Sequence, residues 1–261
     1  MVLKKFLSII GAYKLYENWL WHQVQNSEKV EHIAIILDGN RRWASENALN
    51  PWLGHERGAE KVEQLLDWSQ KLDVKSITLY AFSTENFCRP KKEIEEIMRI
   101  AEKKFKEILI DERIHKNKVR VKVIGRVNLL PESLQTLIGE VEKATENYDR
   151  QFLNIAFAYG GRAEIVDAAR EIAQKIKEGE LTAEAVDEKV FEQHLYTSYM
   201  PKQEPDLIIR TSGEERLSGF LLWQSAYSEF CFLDVYWPDF RLIDLLRAVR
   251  TFQKRKRRFG T

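Results

Sequence analysis

The amino-acid sequence predicts an α/β fold: a single domain whose central, mostly parallel six-stranded sheet is flanked by helices. Short apolar runs rich in β-branched residues alternate along the chain with long segments of helical periodicity. Strands this apolar are typical of a parallel sheet that helices cover on both faces. The length of 261 residues suits one such domain, and no internal repeat or low-complexity segment interrupts the alternation.

Each predicted element follows from its local pattern of apolar residues. The apolar runs predict strands at 32–37, 75–82, 119–124, 152–158, 206–210 and 230–235. Helical spacing predicts helices at about 54–72, 93–113, 131–147, 162–178, 183–196 and 241–257. A further short helix is expected to begin near Arg41.

The first 22 residues predict an amphipathic helix. Aromatic, aliphatic and basic residues share this segment at helical spacing: Phe6, Ile9, Ile10, Tyr13, Tyr16, Trp19 and Leu20, with Lys4, Lys5 and Lys14. Two interpretations stay open, a contact with a membrane surface or an arm packed on the body of the protein. No stretch approaches the roughly 20 apolar residues of a membrane span. A signal-peptide cleavage site is also missing.

Composition limits the classes of function. Lys plus Arg number 41 against 40 Asp plus Glu, which argues against a general nucleic-acid binder. Any anion site must therefore be local. The two cysteines, Cys88 and Cys231, form no CxxC pair and predict neither a disulfide framework nor a zinc site, as expected of a cytoplasmic protein. Histidines at metal-binding spacing are likewise absent from the sequence.

Polar residues follow the predicted strands at the point where each strand ends. They are DGNRR at 38–42, STENFCRP at 83–90, YGGR at 159–162 and RTSGEERLS at 210–218. Ligands of an open parallel sheet bind beyond the carboxyl ends of its strands. Arginines, hydroxyls and a few carboxylates at that edge favour a diphosphate together with a divalent cation such as Mg²⁺.

Simpler interpretations exist for each of these segments. A single charged loop is usually a solvated turn, and Asp38 could merely cap the helix that begins near Arg41. Capping explains neither Gly39-Asn40 nor the basic pair that follows. The sequence contains no P-loop, no GxGxxG and no DDxxD motif, so the usual signatures of ATP hydrolysis and dinucleotide binding are missing.

Over about residues 31 to 260 the chain closely resembles the cis-prenyltransferases, the undecaprenyl diphosphate synthase family. The matching stretches are HIAIILDGNRRW (32–43), GHERGAEKV (54–62), LYAFSTENFCRP (79–90), NIAFAYGGR (154–162), DLIIRTSGEERLSGFLLWQSAYSEFCF (206–232), YWPDF (236–240) and the terminal RRFG. Their number and order argue against coincidence. The resemblance makes 31–261 a catalytic domain that an N-terminal helical extension over 1–30 precedes.

The resemblance implies a Mg²⁺-dependent transferase of prenyl groups. Such an enzyme condenses isopentenyl diphosphate with an allylic prenyl diphosphate, forms Z double bonds and releases inorganic diphosphate. The ordinary product is a polyprenyl diphosphate from which a glycan carrier lipid is made. The expected location is the cytoplasm, and residues 1–22 are the candidate for peripheral contact with a membrane.

The resemblance also implies roles for individual residues. Asp38 would hold Mg²⁺, with Glu229 completing the metal shell. Asn40 would act at the allylic diphosphate. Ser83, Asn86 and Arg89 would lie on a mobile loop between the substrates and assist proton removal. The implied substrate-binding residues are Gly39, Arg42, Trp43, His55, Phe87, Arg89, Arg210, Arg216, Ser218 and Arg258.

Several positions depart from the family pattern. Pro51 stands where many bacterial members have an arginine, and we hypothesise that Arg41 compensates. Phe87 replaces a common tryptophan, and Glu215 replaces a histidine of some members, which changes the charge near the metal. The C-terminal Arg258-Phe259-Gly260 matches a tail that reaches into the partner subunit, so a homodimer is expected.

A family member must also house a long prenyl chain. Ala81, Phe82, Leu137 and Ile155 are candidates for the wall of a tunnel whose floor is expected from the helices at 93–113 and 131–147. Most of the aromatic residues of 223–232, which are Trp223, Tyr227, Phe230 and Phe232, are expected to be core, as aromatics usually are.

Three other functions stay open. A haloacid-dehalogenase-type phosphohydrolase would also place Asp after an apolar strand, but it requires DxD and here the second position is Asn40. A non-catalytic partner subunit usually loses the aspartate and arginines that this chain keeps. A short-chain relative could use an acceptor other than isopentenyl diphosphate.

Overall fold

Six strands pair side by side in one sheet, and every pair is parallel. The computed structural model describes residues 11–255. Its strands are β1 (His32–Ile36), β2 (Ser76–Ser83), β3 (Val119–Ile124), β4 (Gln151–Tyr159), β5 (Leu207–Arg210) and β6 (Glu229–Phe232). Their order across the sheet is β3-β4-β2-β1-β5-β6. The prediction of a six-stranded, mostly parallel sheet flanked by helices is confirmed.

Helices connect the strands as the sequence predicts, with one exception. The helices are α1 (Ala12–Gln25), α2 (Asn40–Glu46), α3 (Pro51–Lys71), α4 (Lys91–Ile110), α5 (Glu112–Lys116), α6 (Glu132–Thr145), α7 (Gly161–Glu178), α8 (Glu188–Glu192) and α9 (Leu242–Lys254). Helix α3 begins earlier than predicted because Pro51 occupies its first turn, where a missing backbone N–H has no cost.

The helix predicted over 183–196 is wrong for most of its length. The segment forms a 3₁₀ turn at Ala183–Ala185 and then the five-residue helix α8. Between the two, Val186 is extended, and the carboxylate of Asp187 accepts a hydrogen bond from the backbone N–H of Val190 at 2.8 Å. A capping aspartate competes with continued helix, so it starts a new helix instead.

The two faces of the sheet are buried in two separate apolar clusters. Alternate residues of β1 show the division: Ile33 and Ile35 lie in the larger cluster, whereas Ala34 and Ile36 lie in the smaller one. All five residues of β1 are buried. This burial on both sides explains why the strands are continuous apolar runs and not alternating ones.

The strand order places a topological switch point at β1. The chain passes from β1 to its neighbour β2 on one side and later returns to β5 on the other side. Ile36 lies opposite Tyr80 of β2 and Arg210 of β5, so the loops after these three strands emerge together. A crevice at such a point is the usual ligand site of an open parallel sheet.

Helix α1 packs on α9. For the described part of the N-terminal segment, this contact agrees with the interpretation as an arm packed on the body of the protein. Leu20 and Val24 are buried, and the side-chain amide of Gln253 donates to the backbone carbonyl of Val24 at 3.0 Å. Residues 1–10 lie outside the described residues. Within 11–255, no helix has the length and apolarity needed to cross a membrane.

His32 makes the stability of the fold sensitive to acid. Its ring is fully buried and forms a hydrogen bond with the hydroxyl of Thr78 at 2.8 Å. Burial lowers the pKa of His32 from 6.5 to about 4, even though the charge of Asp206 opposes this change. The unfolded chain therefore binds a proton more readily than the folded chain, and stability falls as pH decreases from 6.5 towards 4.

We therefore expect His32→Gln to flatten the pH dependence of stability. Between about pH 6.5 and 4 the free energy of unfolding should decrease by about 1–3 kcal/mol less than in the wild type. Urea unfolding at a series of pH values measures this difference. Equal slopes for the two proteins would contradict the prediction.

Candidate active site

A cavity of about 850 Å³ lies at the carboxyl ends of the central strands. Ten of the predicted site residues line it: Asp38, Gly39, Asn40, Arg42, His55, Ser83, Asn86, Arg89, Arg210 and Ser218. Its charged lining consists of five arginines and two carboxylates: Arg41, Arg42, Arg89, Arg162 and Arg210 with Asp38 and Glu85. A chain with a net charge of +1 thus concentrates positive charge at one site. This charge favours an anionic ligand.

Asp38 and Arg210 form an ion pair at the centre of the cavity. The guanidinium of Arg210 donates to Asp38 Oδ2 at 2.8 Å, and its side chain is only 5% exposed. Burial by itself would raise the pKa of Asp38, but the hydrogen bonds from Arg210 and Ser212 outweigh it and lower the pKa. Asp38 is therefore ionised. It does not cap a helix, because Gly39 is the N-cap residue of α2.

Gly39 lets the backbone turn sharply beside Asp38. Its φ is +100°, a conformation that favours glycine, and an added Cβ would lie 2.6 Å from the ring of Tyr236. The backbone N–H of Gly39 donates to Asp38 Oδ1 at 2.7 Å. The DGN sequence thus fixes the carboxylate as well as the start of α2.

The loop after β5 holds the arginines in place. Arg210 donates to the hydroxyl of Ser218 at 2.8 Å and to the backbone carbonyl of Arg216. Arg42 donates to the hydroxyl of Ser212 at 2.6 Å. Both serines have positive φ, 79° at Ser212 and 50° at Ser218, which is strained backbone for residues other than glycine. The loop is therefore shaped to present these groups.

The loop after β2 forms a 3₁₀ turn that closes on itself. The turn covers Thr84–Cys88, and the side-chain amide oxygen of Asn86 accepts from the backbone N–H of Ser83 at 3.1 Å. Ser83 and Asn86 both line the cavity. Their mutual capping fixes the two predicted proton-transfer residues next to each other.

Glu93 contacts three basic side chains of the site and was not predicted from the sequence. Its carboxylate lies 3.0 Å from Arg89, 3.4 Å from His55 and 3.7 Å from Arg41. It is 11% exposed and joins the first turn of α4 to α3. Burial and the charge of Arg89 lower the pKa of His55 to about 4, so His55 is neutral. The only sequence signal was a Glu one helical turn after Arg89.

Four predicted residues do not join the cavity. Trp43 and Phe87 are half-buried beside it without lining it, and Phe87 instead packs edge-on against Phe82. The side chain of Arg216 is 62% exposed and pairs with Glu214. The fourth is Glu229. Arg258 lies outside the described residues.

The single chain does not assemble the predicted metal pair of Asp38 and Glu229. Glu229 begins β6 and lies opposite Leu207, which in turn lies opposite Ile33 at the start of the sheet. Asp38 is five residues further along, which corresponds to about 17 Å in a strand. The carboxylate of Glu229 pairs with Arg255 at 2.5 Å. Parallel pairing places the first residue of each strand at the end of the sheet opposite to the residues that follow the strands, so the two carboxylates of one chain do not meet.

The remaining groups nevertheless fit a bound Mg²⁺. Asp38 is ionised, 29% exposed and directed at the cavity, where Arg210 and Arg42 flank it. Mg²⁺ commonly takes one or two protein carboxylates and completes its shell with phosphate oxygens and water. Among residues 11–255 no group of three or more His, Cys, Asp or Glu side chains could hold a metal ion. An ion held by Asp38 would complete its shell with oxygens of the substrate and of water.

A second cavity of about 650 Å³ adjoins the first. It lies between α3, α4 and the sheet, and its wall is mostly aliphatic. Leu37, Asn40, His55 and Ala81 line both cavities. Ala81 faces them because a bulge between Tyr80 and Phe82 breaks the regular register of β2 with β4.

The predicted tunnel wall is only partly confirmed. Ala81 and Ile155 line the second cavity, whereas Phe82 lines the first. Leu137 of α6 is buried in the core and lines neither, so α6 does not form the predicted floor. The opposite wall is α3, which the sequence analysis had not assigned to the tunnel.

A cationic cavity that adjoins a long apolar one defines a site for an amphiphilic diphosphate, with the charged head at the strand ends and the hydrocarbon between two helices. Comparison with known proteins specifies this class further. Residues 36–260 match the family model described as "Putative undecaprenyl diphosphate synthase". The chain belongs to this family, the cis-prenyltransferases. It is a polyprenyl diphosphate synthase, an enzyme that condenses isopentenyl diphosphate to form a polyprenyl diphosphate.

Individual relatives cover nearly the whole chain. The tritrans,polycis-undecaprenyl-diphosphate synthase (geranylgeranyl-diphosphate specific) of Methanocaldococcus jannaschii is 52% identical over 98% of this chain and 91% of its own. Lavandulyl diphosphate synthase of Lavandula x intermedia, solved with dimethylallyl diphosphate, superposes with a TM-score of 0.84 at 38% identity, covering 89% of this chain and 99% of that one. A probable undecaprenyl diphosphate synthase of Campylobacter jejuni gives a TM-score of 0.72 at 31% identity, covering 90% and 100%.

Proposed function

We propose that this enzyme extends geranylgeranyl diphosphate with isopentenyl diphosphate, forming Z double bonds, and that its long product is the precursor of a glycan carrier lipid. The observation that carries the proposal is the pairing of the two cavities. An apolar space of about 650 Å³ adjoins the diphosphate cavity, so a substrate that already carries a long hydrocarbon has room there. The archaeal relative named above, specific for geranylgeranyl diphosphate, supports this primer.

Different residues of the chain are assigned to the two diphosphates. Arg42, Asn40 and the neutral His55 are placed to bind the allylic head where the apolar cavity begins. Arg210 and Ser218, on the other side of Asp38, are placed to bind isopentenyl diphosphate. Fixed arginines stabilise the charge that develops on the departing diphosphate, and alignment of the two substrates lowers the barrier further.

Asp38 is the residue that would hold Mg²⁺ in this scheme. The ion, when bound, neutralises charge on the allylic diphosphate and so makes it a better leaving group. Ser83 and Asn86, fixed by their mutual cap, are placed to relay the proton that isopentenyl diphosphate loses. The predicted share of Glu229 requires a contribution from another subunit, because its own chain keeps it at the far edge of the sheet.

The proposal is tested by supplying the purified enzyme with Mg²⁺, labelled isopentenyl diphosphate and one of four allylic primers. The primers are dimethylallyl, geranyl, farnesyl and geranylgeranyl diphosphate, and products are resolved by length and by double-bond geometry. We expect the highest kcat/KM with geranylgeranyl diphosphate and a ladder that ends at one long Z-polyprenyl length. A short primer strongly preferred over geranylgeranyl diphosphate would contradict it.

Failure to elongate any primer would favour the two alternatives from the same family. A product formed from two allylic diphosphates would indicate an acceptor other than isopentenyl diphosphate. Activity that is restored only by a second chain would indicate a partner subunit. The retention of Asp38, Arg42 and Arg210 in one cavity supports catalysis by this chain itself.

A homodimer is part of the proposal. Strand β6 forms an edge of the sheet, and the aromatic residues near it, expected to be core, are partly exposed: 68% at Tyr227 and 36% at Phe232. This exposure was not predicted, because an edge strand can have the same composition as a central one. Such an edge is suited to a second copy of the chain. Light scattering of the purified protein tests the dimer.

A peripheral membrane contact through the N-terminal segment is also proposed. On the described part of that segment, Leu15, Tyr16 and Trp19 are partly exposed, at 71%, 40% and 44%, and the ring of Trp19 also lies 4.6 Å from the guanidinium of Arg250 on α9. These side chains would insert at the level of the lipid headgroups. Sedimentation with vesicles of anionic lipid, compared for the wild type and Leu15→Glu, tests this contact.

Glu93→Gln is expected to weaken catalysis without removing a group that touches substrate. The loss of the shared carboxylate charge releases Arg89 and His55 from their common partner, so kcat/KM should decrease by about 10- to 100-fold. Steady-state kinetics for both substrates measure the loss. Glu95→Gln is the matched control, because this residue of the same helix is 63% exposed and, among residues 11–255, forms its ion pair with Lys91 alone. Equal kinetics for the two variants would contradict the prediction.

A further inference from the structure

The segment YGGR at 159–162 follows β4 at the edge of the sheet where the site lies, and it has no assigned role in catalysis. Its first residue lies opposite Ser83 of β2, so the segment emerges beside the 3₁₀ turn that carries Ser83 and Asn86. The other three residues line the diphosphate cavity. The segment therefore borders the part of the site that is assigned to isopentenyl diphosphate and its proton.

Two close contacts hold the segment between the loops after β2 and β5. An added Cβ on Gly160 would lie 2.7 Å from the hydroxyl oxygen of Thr84. The backbone N–H of Gly161 donates to the carbonyl of Gly219 at 2.7 Å, and an added Cβ on Gly161 would lie 2.5 Å from the same oxygen. Glycine is therefore required for this close approach. Since Gly219 directly follows Ser218, the segment lies next to the serine assigned to isopentenyl diphosphate.

Arg162 differs from the other arginines of the cavity because it has no carboxylate partner. The other four each pair with a carboxylate: Arg41 and Arg89 with Glu93, and Arg42 and Arg210 with Asp38. Among residues 11–255, no carboxylate oxygen lies within 4.0 Å of the guanidinium of Arg162. Its side chain is exposed. An anion in the cavity therefore binds Arg162 without breaking an ion pair first.

The charge of the isopentenyl diphosphate site also calls for a second cation. A diphosphate is multiply charged near neutral pH, whereas Arg210 is already neutralised by Asp38 at 2.8 Å. Arg216 does not supply the missing charge, since its side chain is 62% exposed and pairs with Glu214. The guanidinium of Arg162 is the unpaired positive charge beside this site.

We propose that Arg162 binds the diphosphate of isopentenyl diphosphate together with Arg210 and Ser218. Its planar guanidinium can donate two parallel hydrogen bonds to phosphate oxygens. Arg162 lies in the first turn of α7, where the backbone N–H groups favour the same anion. The allylic head is assigned to Arg42 and His55, so Arg162 acts on the acceptor substrate alone. This inference rests on the proposed function, because it concerns the acceptor of that reaction.

The test compares Arg162→Met with the wild type in the condensation of labelled isopentenyl diphosphate with geranylgeranyl diphosphate and Mg²⁺. We expect the KM for isopentenyl diphosphate to rise by about 10- to 100-fold and the KM for geranylgeranyl diphosphate to change by less than about twofold. Arg162→Lys keeps the charge but not the planar fork, so its KM for isopentenyl diphosphate should be intermediate. Thermal unfolding of Arg162→Met should match the wild type, because the replaced side chain is exposed.

Arg170→Met is the matched control on the same helix. Arg170 is 73% exposed, pairs with Asp167 at 3.4 Å and does not line the cavity. Its substitution should leave both KM values at the wild-type level. An equal rise of the KM for isopentenyl diphosphate in the two variants would overturn the inference, because a change in α7 would then explain the effect. A rise confined to the KM for geranylgeranyl diphosphate would overturn the assignment to the acceptor.

Isothermal titration with isopentenyl diphosphate and Mg²⁺, without a primer, separates this inference from the proposed function. The dissociation constant should rise in Arg162→Met by about the same factor as the KM. An unchanged constant would overturn the inference even if the wild type forms a ladder of products. If the wild type elongates no primer but binds isopentenyl diphosphate more tightly than Arg162→Met, the proposed function fails and the role of Arg162 stands. A wild type that does not bind isopentenyl diphosphate would overturn both.

Discussion

Replacement of Asp38 by alanine is expected to lower kcat/KM for condensation by about 10³ or more. Asp38 is the carboxylate that lies between Arg210 at 2.8 Å and Arg42 at 3.4 Å, and its lowered pKa keeps it charged. Without Asp38, the departing diphosphate lacks the residue that is assigned to hold Mg²⁺. The substitution also leaves Arg210 buried without its anionic partner, which should cost about 1–3 kcal/mol of folding stability.

Three measurements separate the two effects of the Asp38 substitution. Product formation gives kcat/KM, thermal unfolding gives the stability, and isothermal titration in the presence of Mg²⁺ gives the affinity for the allylic diphosphate. Asp38→Asn preserves the shape of the side chain and should lose almost as much activity as Asp38→Ala. The control is Asp73→Ala, because Asp73 forms ion pairs with Lys29 and Lys75 outside the cavity. A folded Asp38→Ala variant that condenses at the wild-type rate would refute the assignment.

The central strands could be predicted from the sequence because each is buried on both faces. β1 and β5 are apolar throughout, apart from the residues at their ends, and such runs stand out from the helices around them. Parallel pairing alone predicted that a ligand binds at the edge of the sheet where the strands have their carboxyl ends. It is therefore a physical rule, and not only family resemblance, that brought Asp38, Ser83 and Arg210 to one cavity.

The features that the sequence did not predict depend on contacts between distant segments. Glu93 contacts Arg89, His55 and Arg41, which are brought together only when α3 and α4 pack side by side. The tunnel wall depends on the same packing, since its apolar residues have the composition of any core. The separation of Glu229 from Asp38 within one chain could not be predicted, because a motif gives the spacing along the chain but not the end of the sheet at which a residue lies.

Arg210→Met is expected to produce the second large loss, a decrease of about 10²–10³ in kcat/KM with most of it in the KM for isopentenyl diphosphate. Arg210 is buried and held by Asp38, by the hydroxyl of Ser218 and by the carbonyl of Arg216, so it is already oriented before substrate binds. Methionine fills a similar volume but donates no hydrogen bond. Without the guanidinium the pKa of Asp38 should rise, because Arg210 is the main group that lowers it.

Arg216→Met provides the comparison that makes this expectation specific. The family resemblance gives Arg216 the same role as Arg210, but its side chain is 62% exposed and already paired with Glu214. An exposed, flexible arginine must break that pair and lose side-chain freedom to bind a diphosphate, so its net contribution is smaller. We expect the loss in Arg216→Met to be about tenfold less than in Arg210→Met. Equal losses would mean that the loop after β5 rearranges on binding and turns Arg216 inward. The site that binds isopentenyl diphosphate would then include Arg216 in addition to the preformed Arg210.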